Sequence, residues 1–227
     1  MQALVTGSAR RLGRAIALGL GKAGFRVAVH YRSSRAGAEE TARLLGGAPL
    51  IEGDQAREPA RIVAEAAKAL GGLTLLVCNA AEIEKAPSES LPRERFEAML
   101  SANLTGPFYL MQAALPHLRR GGGGSMVTLL DVCGTSQVWK GYAHYAASKA
   151  GLAALTRLLA VEWAPEVRVN GVAPGSVVEA GEHLRHRIPL GRAGTPDDVA
   201  RAVLFLAQEP FITGQILTVD GGRSVNP

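Results

Sequence analysis

The sequence predicts an α/β fold: a doubly wound parallel sheet with helices on both faces. Three observations carry this. Short apolar runs alternate with longer helical patterns from end to end; most of those runs are apolar on both faces, as strands buried on both sides must be; and polar or glycine-rich segments follow the runs. Seven runs read as strands, at 3–6, 27–30, 49–52, 73–78, 126–130, 167–172 and 216–219. Between them the longer helical patterns predict helices near 12–23, 36–45, 57–70, 93–119, 143–163 and 197–208. Gly121 to Gly124 reads as a flexible turn before the fifth strand. No internal repeat or linker interrupts this rhythm, so a single domain over residues 1–227 is expected.

Composition narrows the function classes. With 227 residues and 47% hydrophobic content the chain can bury one large core. No stretch approaches the roughly 18 uninterrupted apolar residues of a membrane span, and the start has no basic segment followed by an apolar one. A soluble, cytoplasmic protein with no membrane partner is expected. The net charge of +5 comes from scattered arginines without an aromatic platform or a recognition helix, which argues against nucleic acid as a partner. Cys78 and Cys133 sit in or next to apolar runs and read as buried free thiols, with no metal site.

In an open parallel sheet the ligand lies beyond the carboxyl ends of the strands. After the first strand comes Thr6-Gly7-Ser8-Ala9-Arg10-Arg11-Leu12-Gly13. There Gly7 allows a tight turn, Gly13 lets the next helix approach the sheet, and the helix start offers amide donors to a pyrophosphate. The second strand ends at Tyr31-Arg32-Ser33-Ser34, where an acidic residue would bind the ribose hydroxyls of NAD. No acid is present, and Arg32 with Ser33 and Arg11 suits the extra phosphate of NADP(H). Tyr145 and Lys149 stand one helical turn apart, so a phenol and an ammonium share a face; the cation is expected to stabilise tyrosinate and make the phenol a proton donor.

Taken together, Thr6-Gly7-x-x-x-Arg11-x-Gly13, Asp54 after the third strand, Asn79-Ala80-Ala81 after the fourth, Asn103 in the long helix, the Tyr145/Lys149 pair and Pro174-Gly175 after the sixth strand resemble the short-chain dehydrogenase/reductase family over practically the whole chain. The resemblance implies a Rossmann-type sheet of seven strands in the order 3-2-1-4-5-6-7, a small-molecule substrate and a homotetramer, for which the apolar face of the 143–163 helix would be an interface. It implies that Asp54 contacts the adenine, that Asn79, Ala80 and Ala81 line the cofactor, with Leu12 and Val177 also on its binding surface, and that Asn103 carries protons through water. Tyr145 would be the acid, and Lys149 would hold the nicotinamide ribose and depress the tyrosine pKa.

Two departures are similar to the pteridine reductase branch, which includes dihydromonapterin reductases: Arg11 where most members have Gly, and Asp131 where most have Ser. An ionised carboxylate opposes the alkoxide that develops when a ketone is reduced, whereas a dihydropterin offers N–H donors and a C=N bond that must gain a proton. The branch implies NADPH-dependent reduction of a dihydropterin or dihydrofolate. A carbonyl reductase of 3-oxoacyl or small keto substrates, and a non-catalytic NADP-binding regulatory protein, are the alternatives. Asp131 as a simple cap on the following turn also stays open.

Three features depart from that branch or leave its fit open. The loop from Asp131 to Tyr145 is one residue longer than usual in the family, so a bulge that displaces the carboxylate is expected. Glu82-Ile83-Glu84 stands where the branch carries a stacking aromatic, leaving Trp139, Tyr142 or His144 to serve. The segment from Ser176 to Pro189, where the family keeps its substrate lid, is short and charged (Glu179, Glu182, His183, Arg185, His186, Arg187), which suits a small polar substrate.

Overall fold

A computed structural model of the chain describes residues 1–177 and 186–226. The charged stretch through Glu179, Glu182, His183 and Arg185 lies outside the described residues. Seven strands, β1 (Gln2–Val5), β2 (Arg26–Tyr31), β3 (Leu50–Glu52), β4 (Leu75–Cys78), β5 (Gly124–Leu129), β6 (Val167–Pro174) and β7 (Ile216–Val219), form one sheet. Its order is β3-β2-β1-β4-β5-β6-β7, and every pairing is parallel. The order reverses between β1 and β4, which opens a crevice at their carboxyl ends.

The alternation of side chains along each strand explains the two layers. Leu4, Leu76, Met126 and Val169 point to one face, where they meet Ile62 and Val63 of α3 (Pro59–Leu70), Leu110 of α5 (Gly106–Arg120) and Leu152 and Leu159 of α7 (Ala143–Glu162). Their neighbours Ala3, Val5, Leu75, Val77 and Val127 point to the other, against Ile16 and Leu20 of α1 (Arg11–Lys22) and Val199 and Val203 of α8 (Pro196–Gln208). Helix α2 (Arg35–Leu44) covers the β2–β3 edge through Ala38 and Ala42. Each such aliphatic side chain, fully buried, contributes about 1.5–3 kcal/mol. Helix α8 starts where Thr195 and Asp198 form a reciprocal capping box.

The long helix expected at 93–119 is three pieces. Helix α4 (Arg93–Leu100) runs into a π-helical turn at Ser101–Thr105 before α5 continues. A π turn inserts one residue into the helical ladder and often marks a functional position; here it carries Asn103. The segment Val132–Thr135 after β5 forms a short kinked turn, α6, in which Cys133 is extended and Gly134 takes a φ of 97°. Among the described residues no helix is long and apolar enough to cross a membrane. Both cysteines are free and buried.

Candidate active site

The crevice floor is the β1–α1 turn. Gly7 has a φ of 64°, and a Cβ on Gly13 would meet the Gly7 carbonyl oxygen and come within 2.5 Å of Asn79 Nδ2. Arg11 has a φ of 50°. This left-handed conformation costs an L residue about 1–2 kcal/mol, and it accounts physically for a glycine being the usual occupant. The turn is tied to β4: the Thr6 hydroxyl oxygen accepts from the amides of Asn79 (3.0 Å) and Ala80 (2.9 Å), and Asn79 Nδ2 donates to Thr6 O at 2.8 Å. Gly13→Ala is expected to destabilise the protein by about 1–3 kcal/mol through overpacking and to weaken coenzyme binding. Denaturant melts with and without NADP+ measure both, and a wild-type midpoint and coenzyme shift would contradict it.

His30 has a role that the sequence did not reveal. It is buried at 2% exposure; Gly7 N donates to its Nδ1 at 3.1 Å, so Nε2 carries the proton and donates to Gly53 O at 3.1 Å. One neutral ring therefore clips the glycine turn to the end of β3. Its position at the end of a strand, one residue before Tyr31, is the signal that could have found it. Burial pushes its pKa down to about 4. The folded state thus stays unprotonated where an unfolded chain takes a proton near 6.5, and stability falls as pH drops through that window, by on the order of 3 kcal/mol in full. His30→Gln keeps an acceptor and a donor without titrating, so its acid limb of stability between about 6.5 and 4 should be flatter. An unchanged limb in pH-dependent melts would rule this out.

Around the end of the crevice between the β1–α1 turn and the ends of β2 and β3 stand Gly7, Arg11, Leu12, Gly13, Arg32, Ser33, Asp54, Asn79, Ala80 and Ala81. Asp54 Oδ1 accepts from Ala56 N at 2.9 Å. Tyr31 borders the same crevice, but its ring packs with Val29, Ala38 and Ala42 and its hydroxyl donates to Glu52 Oε2 at 2.9 Å. Arg32 Nη1 makes an exposed ion pair with Glu82 at 2.8 Å, a contact the sequence did not reveal and one of small net energy. Pro174 and Gly175 close β6, where a Cβ on Gly175 would lie 2.6 Å from Asp220 Cβ, and Val177 follows, packed against Gly194. The open groove, the absence of a Cβ at Gly13 and the left-handed Gly7 fit a dinucleotide whose pyrophosphate approaches backbone amides.

At the other end of the crevice, Asp131, Tyr145 and Lys149 converge. Tyr145 OH donates to Asp131 Oδ2 at 2.8 Å, while Asp131 Oδ1 accepts from Cys133 N at 2.8 Å. The carboxylate thus caps the α6 turn with one oxygen and holds the phenol with the other. The longer loop is kinked at Cys133 and Gly134, and Asp131 lies within hydrogen-bond reach of Tyr145. Lys149, 3% exposed, donates from Nζ to Leu129 O at 2.8 Å and stands 5.8 Å from the centre of the Tyr145 ring.

The electrostatics correct one expectation. Burial first, and the Asp131 carboxylate second, push the Tyr145 phenol above its ordinary pKa, so within this chain the carboxylate outweighs the ammonium. Burial raises the Asp131 carboxyl and lowers the Lys149 ammonium to about 8. The proton between the two groups therefore stays on the phenol, and the carboxylate accepts from it.

Asn103 is 1% exposed, and its hydrogen bonds go to groups other than the Tyr145 hydroxyl. Its amide exchanges hydrogen bonds with the Glu82 backbone (2.8 and 2.7 Å) and reaches Ser148 Oγ at 3.2 Å, and Ser148 in turn donates to Tyr145 O at 2.7 Å. Tyr142 packs edge-on against both Trp139 (5.7 Å) and Tyr145 (6.3 Å). His144 is fully buried and faces Glu84 at 3.8 Å. Of the three aromatics expected to receive a ring, Trp139 is the one bordering the open cavity beyond α6. Among the described residues no cluster of His, Cys, Asp or Glu is placed to hold a metal ion.

Comparison with known proteins gives concordant matches. A family model described as enoyl-(acyl carrier protein) reductase matches residues 7–224. The 3beta-hydroxysteroid dehydrogenase 1 of Eggerthella lenta is 36% identical, with 99% of this chain and 94% of that protein covered. The 3-oxoacyl-acyl-carrier-protein reductase of Staphylococcus epidermidis is 32% identical, with 97% of each covered. A crystal structure of a dehydrogenase/reductase from Sinorhizobium meliloti superposes with a TM-score of 0.92 at 36% identity, covering 98% of this chain and 94% of that one.

Proposed function

This chain belongs to the short-chain dehydrogenase/reductase family of nicotinamide-dependent oxidoreductases, and on that premise we propose that it is an NADPH-dependent reductase of a C=N bond in a dihydropterin or dihydrofolate. The observation that carries the substrate reading is the 2.8 Å hydrogen bond from Tyr145 to Asp131. A ketone reductase needs a neutral donor free to meet the carbonyl oxygen; here the phenol proton already points at a carboxylate. An imine nitrogen flanked by N–H groups matches this pair better, since Asp131 accepts from the substrate while the phenol proton passes to the nitrogen.

A nicotinamide coenzyme, when bound, would supply the hydride; Asp131 and Tyr145 hold the proton that the imine nitrogen must gain. Lys149 holds positive charge beside the pair, and its ammonium would hold the nicotinamide ribose. Arg32, Ser33 and Arg11 support preference for the phosphorylated coenzyme, because no carboxylate occupies the end of β2 itself. Leu158 and Val161, exposed on α7 at 52% and 79%, support assembly into a homotetramer.

A second reading, reduction of a carbonyl, is favoured by the names of the relatives, which act on 3-oxoacyl and hydroxysteroid compounds. It requires Asp131 to be protonated, a state that its burial favours. The experiment follows coenzyme absorbance with NADPH and with NADH, against dihydropterins and against a panel of ketones. Turnover of dihydropterin with NADPH supports the first reading; brisk ketone reduction with none of dihydropterin replaces it with the second.

A further inference from the structure

Beyond the α6 turn, away from the β1–α1 turn, lies a cavity whose walls include Gln137, Trp139, His186, Arg187, Arg223 and Asn226. Three chain segments distant in sequence build it. Gln137 Nε2 donates to Arg223 O at 3.3 Å, joining the loop before α7 to the C-terminal turn. Leu190 N donates to Gly221 O at 3.2 Å, and a Cβ on Gly221 would stand 2.6 Å from Ile188 Cγ2, so the stretch after Arg187 packs closely against the residues before Arg223. Arg223 is fixed further by its Nη1 donating to Ser176 Oγ at 2.7 Å.

Neither guanidinium has a carboxylate partner within ion-pair distance among the described residues. The nearby acid Asp220 is committed to the turn itself, its two oxygens accepting from Gly222 N at 2.9 Å and Ser224 N at 2.6 Å. Asp131 is taken by Tyr145 and Cys133. Gly134 and Thr135 of the α6 turn, whose cap is Asp131, also line this cavity, so it adjoins the reacting pair. Two guanidiniums without a carboxylate partner among the described residues, a neighbouring imidazole and an indole wall form a surface that favours an aromatic group carrying an acid.

We propose that this cavity is a subsite for a carboxylate-bearing aryl portion of the substrate, with Arg187 and Arg223 receiving the carboxylate and Trp139 receiving the ring. The subsite rests on the reductase reading only in calling its ligand part of a substrate; carboxylate recognition itself is measured without turnover.

The probe is benzoylglutamate, with its dimethyl ester as the neutral control, titrated into the protein in the presence of NADP+ and followed by calorimetry and by tryptophan fluorescence. The diacid should bind about tenfold or more tightly than the ester, and Arg187→Gln, at an exposed position, should weaken the diacid by about tenfold while leaving the ester unchanged. Arg223→Gln should do the same, with a thermal melt confirming that the protein stays folded. Equal affinities for diacid and ester, or equal losses for both in Arg187→Gln, overturn the subsite. Diacid binding in a protein that turns over no dihydropterin upholds the subsite and overturns the pterin reading alone.

Discussion

Tyr145→Phe is expected to bind NADPH as the wild type does and to lose about two to four decades of kcat, the range for removal of a general acid. The ring is 5% exposed and packs edge-on against Tyr142, contacts that phenylalanine preserves. Only the hydroxyl is lost, and with it the proton held at 2.8 Å from Asp131 Oδ2. The variant also leaves the carboxylate short of one donor, which should raise the Asp131 pKa further and shift the pH profile of any residual activity upward. Calorimetry with NADPH and single-turnover rates test the two halves separately. Rates near wild type would mean that another group delivers the proton.

Asp131→Ser should divide the two substrate readings with opposite signs. The shorter hydroxyl can still meet the amide of Cys133, but it removes the charge next to the phenol. Loss of a charge-assisted contact to substrate N–H groups costs about 1.5–3 kcal/mol, so dihydropterin turnover should fall by roughly ten- to a hundredfold. Ketone reduction should rise, because a neutral donor then stands where an alkoxide develops. Should both activities fall together, Asp131 acts mainly as the cap of α6 and the substrate argument built on its charge fails.

The alternation of apolar runs and amphipathic stretches was enough to place all seven strands, because strands buried on both faces leave a compositional mark. Helix interruptions left none: nothing in Ser101 to Thr105 distinguishes a π turn from an α-helix, since the inserted residue is stabilised by the tertiary contacts of Asn103 with Glu82 and Ser148. At the site, residues with a fixed spacing on one element, Gly7 and Gly13 or Tyr145 and Lys149, could be read directly. Contacts between elements could not. The bridge from His30 to Gly7 and Gly53, the pairing of Arg32 with Glu82 and the donation from Tyr145 to Asp131 all depend on strand order and loop path. The direction of the tyrosine shift was misjudged for the same reason: the lysine was visible one turn away, whereas the carboxylate reaches the phenol from fourteen positions earlier in the chain.

The kink at Cys133 and Gly134 has a bearing on how such a pocket can diversify. Gly134 backs onto helix α7, where a Cβ would stand 2.5 Å from Ala146 O. The turn is also tied back to the end of β5, since the Thr135 hydroxyl donates to Asp131 O at 2.7 Å and Gln137 N to Val132 O at 2.7 Å. The wall that borders the pocket is thereby braced against the residues that handle the proton, so that new specificities on this scaffold must keep that brace while changing side chains farther along the loop.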